Sequence, residues 1–400
     1  MNLLGLSLRY LLSRPLAALL NLLLLTLGLA TVSFVLLASA QLERAFERDL
    51  AGIDVVVGAK GSPIQLILAG VFHIDVPPGN VPLAEVQALE RNPQVAKLIP
   101  LSLGDSFGGW RIVGTTPAWL SHYRLAPAQG RVWQQPMEAV LGATAARESG
   151  LAPGARFIGN HGLGGGGHAH GDTPFQVVGV LPPCRCVADR LVLTSLESVW
   201  QVHEKTMAVD EEDRKALVAE REVTMALIAY RSPLAAVSFP RWVNSSTALQ
   251  AAAPALEISR LLRMLGVGTD ILRGLGAVLL ATAALGIFIA LWSAVRERRA
   301  DLALLRLLGA PPQRVAALLL AESLWLALAA SVLGLALAHA LAAVAGMALA
   351  GRQALPFSGL EWVAQEAWIP VLAVGVAALA AAIPAYSAYR AEVARLFQSR

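Results

Sequence analysis

Four long apolar segments constrain this chain more than any other feature of its sequence. They cover roughly residues 15–40, 271–294, 315–350 and 368–389. A helix rises about 1.5 Å per residue, so about 20 apolar residues cross a hydrocarbon core of about 30 Å. The third segment is longer than the bilayer requires, so it must tilt, bend or continue into water. The sequence therefore predicts a membrane α-helical protein with four transmembrane helices.

The composition agrees with a membrane protein. Apolar residues make up 56% of the chain and charged residues only 15%, with a mean hydropathy of +0.58. The net charge of +4 does not indicate a nucleic-acid partner, because the basic residues lie beside the apolar segments. Ala38, Ser39 and Ala40 resemble a signal-peptide cleavage site, but the apolar stretch before them is too long for a signal peptide. The first helix is therefore expected to be retained.

The positions of arginine predict the orientation. Basic residues precede the first segment, lie between the second and third, and follow the fourth: Arg9, Arg14, Arg296, Arg298, Arg299, Arg306, Arg314, Arg390, Arg395 and Arg400. Between the third and fourth segments Arg352 is the only basic residue, and Glu361 and Glu366 lie nearby. Because cytoplasmic loops are enriched in Lys and Arg, both termini and the second connection are expected in the cytoplasm.

The chain is thus predicted to have three parts: residues 1–40 with the first helix, an external domain of about 41–270, and residues 271–400 with helices two to four. The external domain is large enough for one or two small domains with an α+β pattern. Its expected strands are 53–57, 95–103, 110–114, 139–142, 175–181, 190–194 and 225–230, and its expected helices are 82–92, 144–149 and 195–200. Residues 41–50 and 248–266 are predicted to extend the adjacent membrane helices as stalks.

A short basic, amphipathic helix is predicted at about residues 296–310, between the second and third segments. Leu304, Leu305 and Leu308 form an apolar ridge that ends at Gly309, and the flanking residues are polar: Arg298, Arg299, Asp301 and Arg306. Two interpretations of this pattern stay open. The ridge either contacts a soluble subunit or lies on the lipid surface.

The third apolar segment carries two further features. Small residues recur at every fourth position, which favours close helix packing, within or between subunits: Ala330, Gly334, Ala338, Ala342 and Gly346. Glu322 is an intramembrane acid, and pairing with a basic residue of the 296–310 segment is favoured over an ion site or proton relay. No role is expected for His339, near the outer end of this segment.

A glycine-rich loop in the external domain contains His161, His168, His170 and Asp172. Imidazole and carboxylate ligands suit zinc or another first-row metal, although ordering such a loop costs conformational entropy. The alternative is a solvated hairpin loop. Cys184 and Cys186 follow and could oxidise outside the cytoplasm.

Enzymatic activity of this chain is not expected, because it contains no nucleophile elbow and no His-Glu-x-x-His motif. A phosphate-binding loop of the form Gly-x4-Gly-Lys-Ser/Thr is also absent, so the chain does not bind ATP by that mechanism.

Several segments, in this order and topology, resemble the MacB/FtsX family of ABC transporter permeases, which includes the lipoprotein-extracting LolC and LolE proteins. They are Leu8–Pro15, Gly130–Trp133, Glu138–Gly142, Phe175–Pro182, Arg298–Ala310 and Ile383–Arg390. The resemblance implies a four-helix permease of the bacterial inner membrane without a fused ATPase. It also identifies residues 298–310 as the segment that couples to a cytoplasmic ABC ATPase.

That family resemblance implies further partners. ATP and Mg would be bound by the separate ATPase, with no cofactor in this chain apart from the possible zinc. A second permease copy, identical or a close paralogue, would complete the membrane complex. The periplasmic domain would meet an adaptor, a lipoprotein or a substrate-binding protein and use ATP-driven motion for export or extraction. The alternative is a signalling module, similar to FtsX, that activates a periplasmic enzyme such as a cell-wall hydrolase.

Overall fold

The computed structural model describes residues 3–162, 173–207, 217–218, 220–297, 304–349 and 357–390. These residues form two compact units, and the chain passes between them near residues 43 and 263. The first unit contains the membrane helices and the second contains the external α/β domain.

The membrane unit contains a short helix α1 (Leu3–Leu12) and four long helices. These are α2 (Pro15–Leu50), α9 (Pro254–Glu297), α10 (Pro312–Leu349) and α11 (Trp368–Arg390). All four long helices include a stretch that is apolar and long enough to cross a bilayer, which confirms the predicted number of spans. The indole nitrogen of Trp325 donates to the hydroxyl of Ser7 at 3.2 Å, so α1 packs against α10.

Close helix packing in this unit depends on the small residues of α10. Ala330 and Ala338 are completely buried. A Cβ atom on Gly334 would lie only 3.0 Å from Cβ of Leu29 in α2 and 3.3 Å from the carbonyl oxygen of Thr26. The small residues of α10 therefore allow it to pack closely against α2 of the same chain.

The external unit is built on a mixed sheet. Its strands are β1 Val55–Ala59, β3 Val95–Phe107, β4 Trp110–Thr115, β5 Gln129–Gly130, β6 Glu138–Leu141, β7 Arg156–Phe157, β8 Asn160–His161, β9 Phe175–Val180, β10 Leu191–Ser195, β12 Met225–Tyr230 and β13 Leu249–Ala252. Their order in the sheet is β13-β1-β12-β3-β4-β10-β6-β9-β5, with β7 beside β9 and β8 beside β3. β10 is parallel to β4 and β6 to β9, while the other pairs are antiparallel. A separate pair joins β2 (Val81–Pro82) to β11 (Glu222–Val223).

Helices cover this sheet, and the described residues of the unit include two apolar cores. They are α3 Pro63–Gly70, α4 Leu83–Glu90, α5 Pro117–His122, α6 Ala143–Ser149, α7 Leu196–Met207 and α8 Ala235–Ser246. One core contains Val57, Ile228 and Phe239. The other contains Phe157 and Phe175, whose stacked rings lie 5.2 Å apart. Burial of these side chains stabilises the two halves of the sheet.

One predicted stalk was partly wrong. Residues 248–266 were expected to be helical throughout, but Leu249–Ala252 form β13, which pairs with β1. The helix begins only at Pro254, where a residue without an amide hydrogen is well tolerated in the first turn. The other stalk, residues 41–50, continues α2 without a break.

Candidate functional site

The described part of the predicted coupling helix, residues 304–310, is called the coupling segment here. Residues 304–307 are helical, and the turn closes when Gly309 N donates to the carbonyl of Arg306 at 3.1 Å and Ala310 N to that of Leu305 at 3.0 Å. Gly309 has a φ of +89°, which a residue without Cβ adopts freely. This paired arrangement is a Schellman cap, so the end of the helix is sharply defined. Arg298, Arg299 and Asp301 lie outside the described residues.

The coupling segment exposes a leucine surface. Leu304 is 54% exposed, Leu307 60% and Leu308 84%. Leu305 instead packs against the core of the membrane helices. The exposed surface is therefore made of Leu304, Leu307 and Leu308, while Leu305 anchors the segment. Sequence reasoning missed Leu307, although it lies on the same side as Leu304 at a spacing of three residues.

A groove of about 550 Å³ runs beside this surface. Leu3 and Leu6 of α1 form one wall, and Leu308, Gly309 and Arg314 contribute to the other. Most of these side chains are apolar, and Arg314 supplies a charge. The arrangement can receive an apolar segment that also carries an acidic group.

The buried acid Glu322 lies close to the start of α2. It is 5% exposed and lines one pocket with Tyr10, Arg14 and Asn21. Arg14 also forms an ion pair with Glu297, the last residue of α9. Tyr10 of α1, Asn21 of α2 and Glu322 of α10 therefore line one pocket, and Arg14, between α1 and α2, links this pocket to the end of α9. The predicted pairing of Glu322 with a basic residue of the 296–310 segment stays a prediction.

The outer end of α10 has a buried polar network that sequence reasoning missed. Glu366 accepts hydrogen bonds from the hydroxyl of Ser33 at 2.8 Å and from Val363 N at 3.0 Å. Its Oε1 lies 3.2 Å from Nε2 of His339, and Nδ1 of that imidazole lies 2.8 Å from the carbonyl oxygen of Gly359. His339 thus holds a connection between α10 and the residues before α11. Polarity could have marked Ser33, His339 and Glu366 as candidates, since all three lie in or beside apolar segments, but it does not indicate which of them pair.

The external unit also contains the buried carboxylate Glu138. Arg131 donates to both of its oxygens at 2.7 and 2.5 Å, and the amide of Gln134 donates at 2.7 Å. These bonds, with that of Arg131 first, lower the pKa of Glu138 to about 2. Arg131 lies in the segment Gly130–Trp133 and Glu138 begins the segment Glu138–Gly142, so this ion pair joins the two segments.

Of the predicted zinc ligands, only His161 is described. It lies on β8 opposite Asp105 of β3, and its Nδ1 is 3.0 Å from a carboxylate oxygen of Asp105. His168, His170 and Asp172 lie outside the described residues, and within the described ranges no cluster of three or more metal-binding side chains occurs. The zinc site therefore stays a prediction.

Cys184 and Cys186 form a disulfide. Arg48, near the end of α2, donates to the carbonyl oxygen of Arg185 between them, and Val187 N donates to the carboxylate of Asp49 at 3.1 Å. Burial raises the pKa of Asp49 to about 6. The disulfide loop is thus held against the end of α2.

Comparison with known proteins identifies the family of this chain. Residues 18–228 match a family model described as the MacB-like periplasmic core domain, and residues 273–393 match one described as the FtsX-like permease C-terminal. The first match alone covers more than half of the 400 residues. No curated protein sequence matches the chain.

Two solved structures are similar to about half of this chain. The periplasmic region of MacB from Actinobacillus actinomycetemcomitans is 12% identical, with a TM-score of 0.35, and the match covers 53% of this chain and 95% of that one. The extracellular domain of YknZ, a noncanonic ABC-type transporter from Gram-positive bacteria, is 11% identical, with a TM-score of 0.31, covering 49% and 98%. From the two family models, the chain belongs to the MacB/FtsX-like family of ABC transporter permeases.

Proposed function

We propose that this permease converts ATP binding and hydrolysis by a separate cytoplasmic ABC ATPase into motion of its external domain. The observation that carries the proposal is the exposed leucine surface of the coupling segment. Three leucines of one short helix face outward, and the largest exposed fraction is 84%, at Leu308. Removing such surface from water is worth about 25 cal/mol per Å², so a partner that covers it gains affinity.

The coupling segment is also firmly connected to the membrane helices. Leu305 packs in their core, and the Schellman cap leads through Pro311 into α10. Arg14 ties the start of α2 to Glu297 at the end of α9. A force applied at the leucine surface would therefore reach several helices together rather than bend a free loop.

Two membrane helices, α2 and α9, connect the membrane unit to the external unit along the chain. α2 extends from Pro15 to Leu50, and α9 from Pro254 to Glu297. Each is continuous through residues that belong to both compact units. Because a helix keeps all of its internal hydrogen bonds, it transmits displacement along its axis better than an irregular segment does.

The proposal includes an arrangement of partners. The chain would lie in a bacterial inner membrane with both termini in the cytoplasm, since basic residues flank the helices on that side. Two permease copies, identical or closely paralogous, would bind two ATPase subunits. A periplasmic adaptor, lipoprotein or substrate-binding protein would receive the motion during export or extraction. Recovery of a cell-wall hydrolase with the purified complex would indicate signalling instead.

Replacement of both Leu304 and Leu308 by Asp tests the coupling surface. Two buried charges at the contact should weaken copurification of the cognate ATPase by more than about tenfold. The matched control is Leu234→Asp, at a residue of the external unit that is 80% exposed. Unchanged ATPase recovery with the double variant would contradict the proposal, provided that the variant is inserted and elutes like the parent protein.

A further inference from the structure

The Cys184–Cys186 disulfide closes a ring with one residue between the two cysteines. Arg185 has a φ of +55°, a left-handed conformation that is unfavourable for a residue with a side chain. Both cysteines are partly exposed and Arg185 is exposed, so another thiol can approach. Disulfides that are exposed or hold strained backbone are the ones most readily reduced.

A purely stabilising role fits this disulfide poorly. Cross-links stabilise a fold chiefly by restricting the unfolded chain, and the effect grows with the length of the closed loop. A ring with a single intervening residue restricts almost nothing. The local structure around Cys184 does not depend on the bond alone either, because the carboxylate of Asp189 accepts from the amides of Cys184 at 2.9 Å and Arg185 at 2.7 Å.

Asp189 also supplies a hydrogen-bond acceptor for the reduced form of Cys184. Its Oδ1 lies 3.3 Å from Sγ of Cys184, which bears no hydrogen while the disulfide is present. After reduction the Cys184 thiol can donate a hydrogen bond to this carboxylate. The site therefore offers favourable contacts to both redox states.

The ring is attached to the end of α2 by contacts that depend on its conformation. Arg48 binds the carbonyl oxygen of Arg185, the residue that the ring holds in the left-handed region. Asp49, next in α2, accepts from Val187 N, and its own carbonyl accepts from the hydroxyl of Tyr123 at 3.1 Å. Relaxation of Arg185 would turn its carbonyl away from Arg48 and release one of these connections.

We propose that Cys184 and Cys186 form a redox-reactive site that undergoes thiol–disulfide exchange with an extracytoplasmic dithiol protein and thereby controls the attachment of the loop to the end of α2. A thiolate of the dithiol partner attacks one sulfur, the Cys184–Cys186 bond breaks, and the released cysteine thiolate takes up a proton. The second partner thiol, as its thiolate, then attacks the partner's own sulfur in the mixed disulfide and displaces the other permease cysteine as a thiolate, which takes up the second proton. The products are two protein thiols and the partner's disulfide, so two electrons and two protons have been transferred to the permease.

The test uses the full-length protein in nanodiscs, equilibrated in buffers of graded ratios of reduced to oxidised dithiothreitol. Free thiols are then trapped with a maleimide-polyethylene glycol and counted by gel shift. We expect reversible reduction of the disulfide to two thiols with no loss of the folded protein. Absence of reduction until the protein unfolds would overturn the proposal.

The Arg48→Ala variant tests the connection to α2. If Arg48 binds only the oxidised arrangement, its removal should allow half-reduction at a roughly fivefold lower dithiol-to-disulfide ratio. Arg44→Ala, one turn earlier on α2 and also exposed, is the matched control. Equal midpoints for Arg48→Ala, Arg44→Ala and the parent protein would overturn the linkage. The proposal rests on the external position of this unit, but these measurements do not involve the ATPase, so they can fail independently of the proposed coupling.

Discussion

At the scale of single residues, burial gives Asp49 an unusual acid–base property. Its side chain lies at the end of α2 beside Val187, and burial raises its pKa from 3.8 to about 6, while Val187 N and Arg48 partly offset the effect. The folded state therefore binds this proton more tightly than the unfolded chain does. Stability from this group is present below a pH of about 4 and is lost as the pH rises through about 6.

The Asp49→Asn variant should remove this dependence. A pKa difference of about two units corresponds to about 3 kcal/mol at most, so the parent protein should lose up to that much stability between pH 4 and 6 through this group. The variant keeps an oxygen that can accept from Val187 N, so its fold is retained. The free energy of unfolding, measured by denaturant at several pH values, checks the difference. If the free energy of unfolding depends on pH with the same slope in the two proteins, Asp49 titrates normally.

A second residue-scale prediction concerns zinc. His161, His168, His170 and Asp172 are expected to bind one first-row divalent ion, and the affinity should fall in acid because only neutral imidazole binds metal. Calorimetry on the full-length protein, with native cysteines in the disulfide form, gives the stoichiometry. Replacement of the three histidines by Ala should abolish uptake, while His122→Ala, in α5, should leave it unchanged. Uptake that persists in the triple variant would assign the metal elsewhere.

At the scale of elements, the sequence predicted the helices and strands that follow from a local pattern of apolar and polar residues. Met225–Tyr230 is a strand as expected, because a run of apolar residues between polar ones has few alternatives. Leu249–Ala252 was expected in a helix, since alanine and leucine favour helices, but pairing with β1 outweighs that preference. The Ser33–His339–Glu366 network could not be predicted, because residues far apart in the chain meet only after the membrane helices pack.

The packing of the membrane helices also predicts which of their glycines can be replaced by alanine. A Cβ atom on Gly346 of α10 would lie 2.2 Å from the carbonyl oxygen of Phe357, whereas one on Gly375 of α11 would meet nothing within 4 Å. Gly346→Ala should therefore destabilise the protein by about 1–3 kcal/mol through overpacking. Gly375→Ala should be neutral or stabilise it slightly, since alanine favours helices. Thermal unfolding in nanodiscs compares the two variants, and equal midpoints would argue against the close approach at Gly346.

At the scale of the whole molecule, the sequence predicted the number of membrane helices and the large insertion between the first and second, because both follow from hydropathy. It predicted less well which leucines of residues 304–310 are exposed. The apolar ridge was assigned to Leu304, Leu305 and Leu308, but a helix that rests on other helices must bury one side. Which leucine is buried depends on the angle at which the segment meets the membrane core, and periodicity does not specify that angle.

The orientation of the whole chain decides the mechanism, because the leucine surface and the external unit must lie on opposite sides of the membrane. Ser245 and Gln313 are both exposed, the first in the last turn of α8 and the second at the start of α10. In a background with Cys184 and Cys186 replaced by Ser, Ser245→Cys should react with a membrane-impermeant maleimide in spheroplasts. Gln313→Cys should react only after the membrane is permeabilised, which also shows that its thiol is accessible. Arginines lie beside Gln313, and the positive-inside bias places such short basic connections in the cytoplasm. The opposite labelling pattern would therefore mean that the protein is inverted in the membrane. An ATPase in the cytoplasm could then not reach the coupling segment.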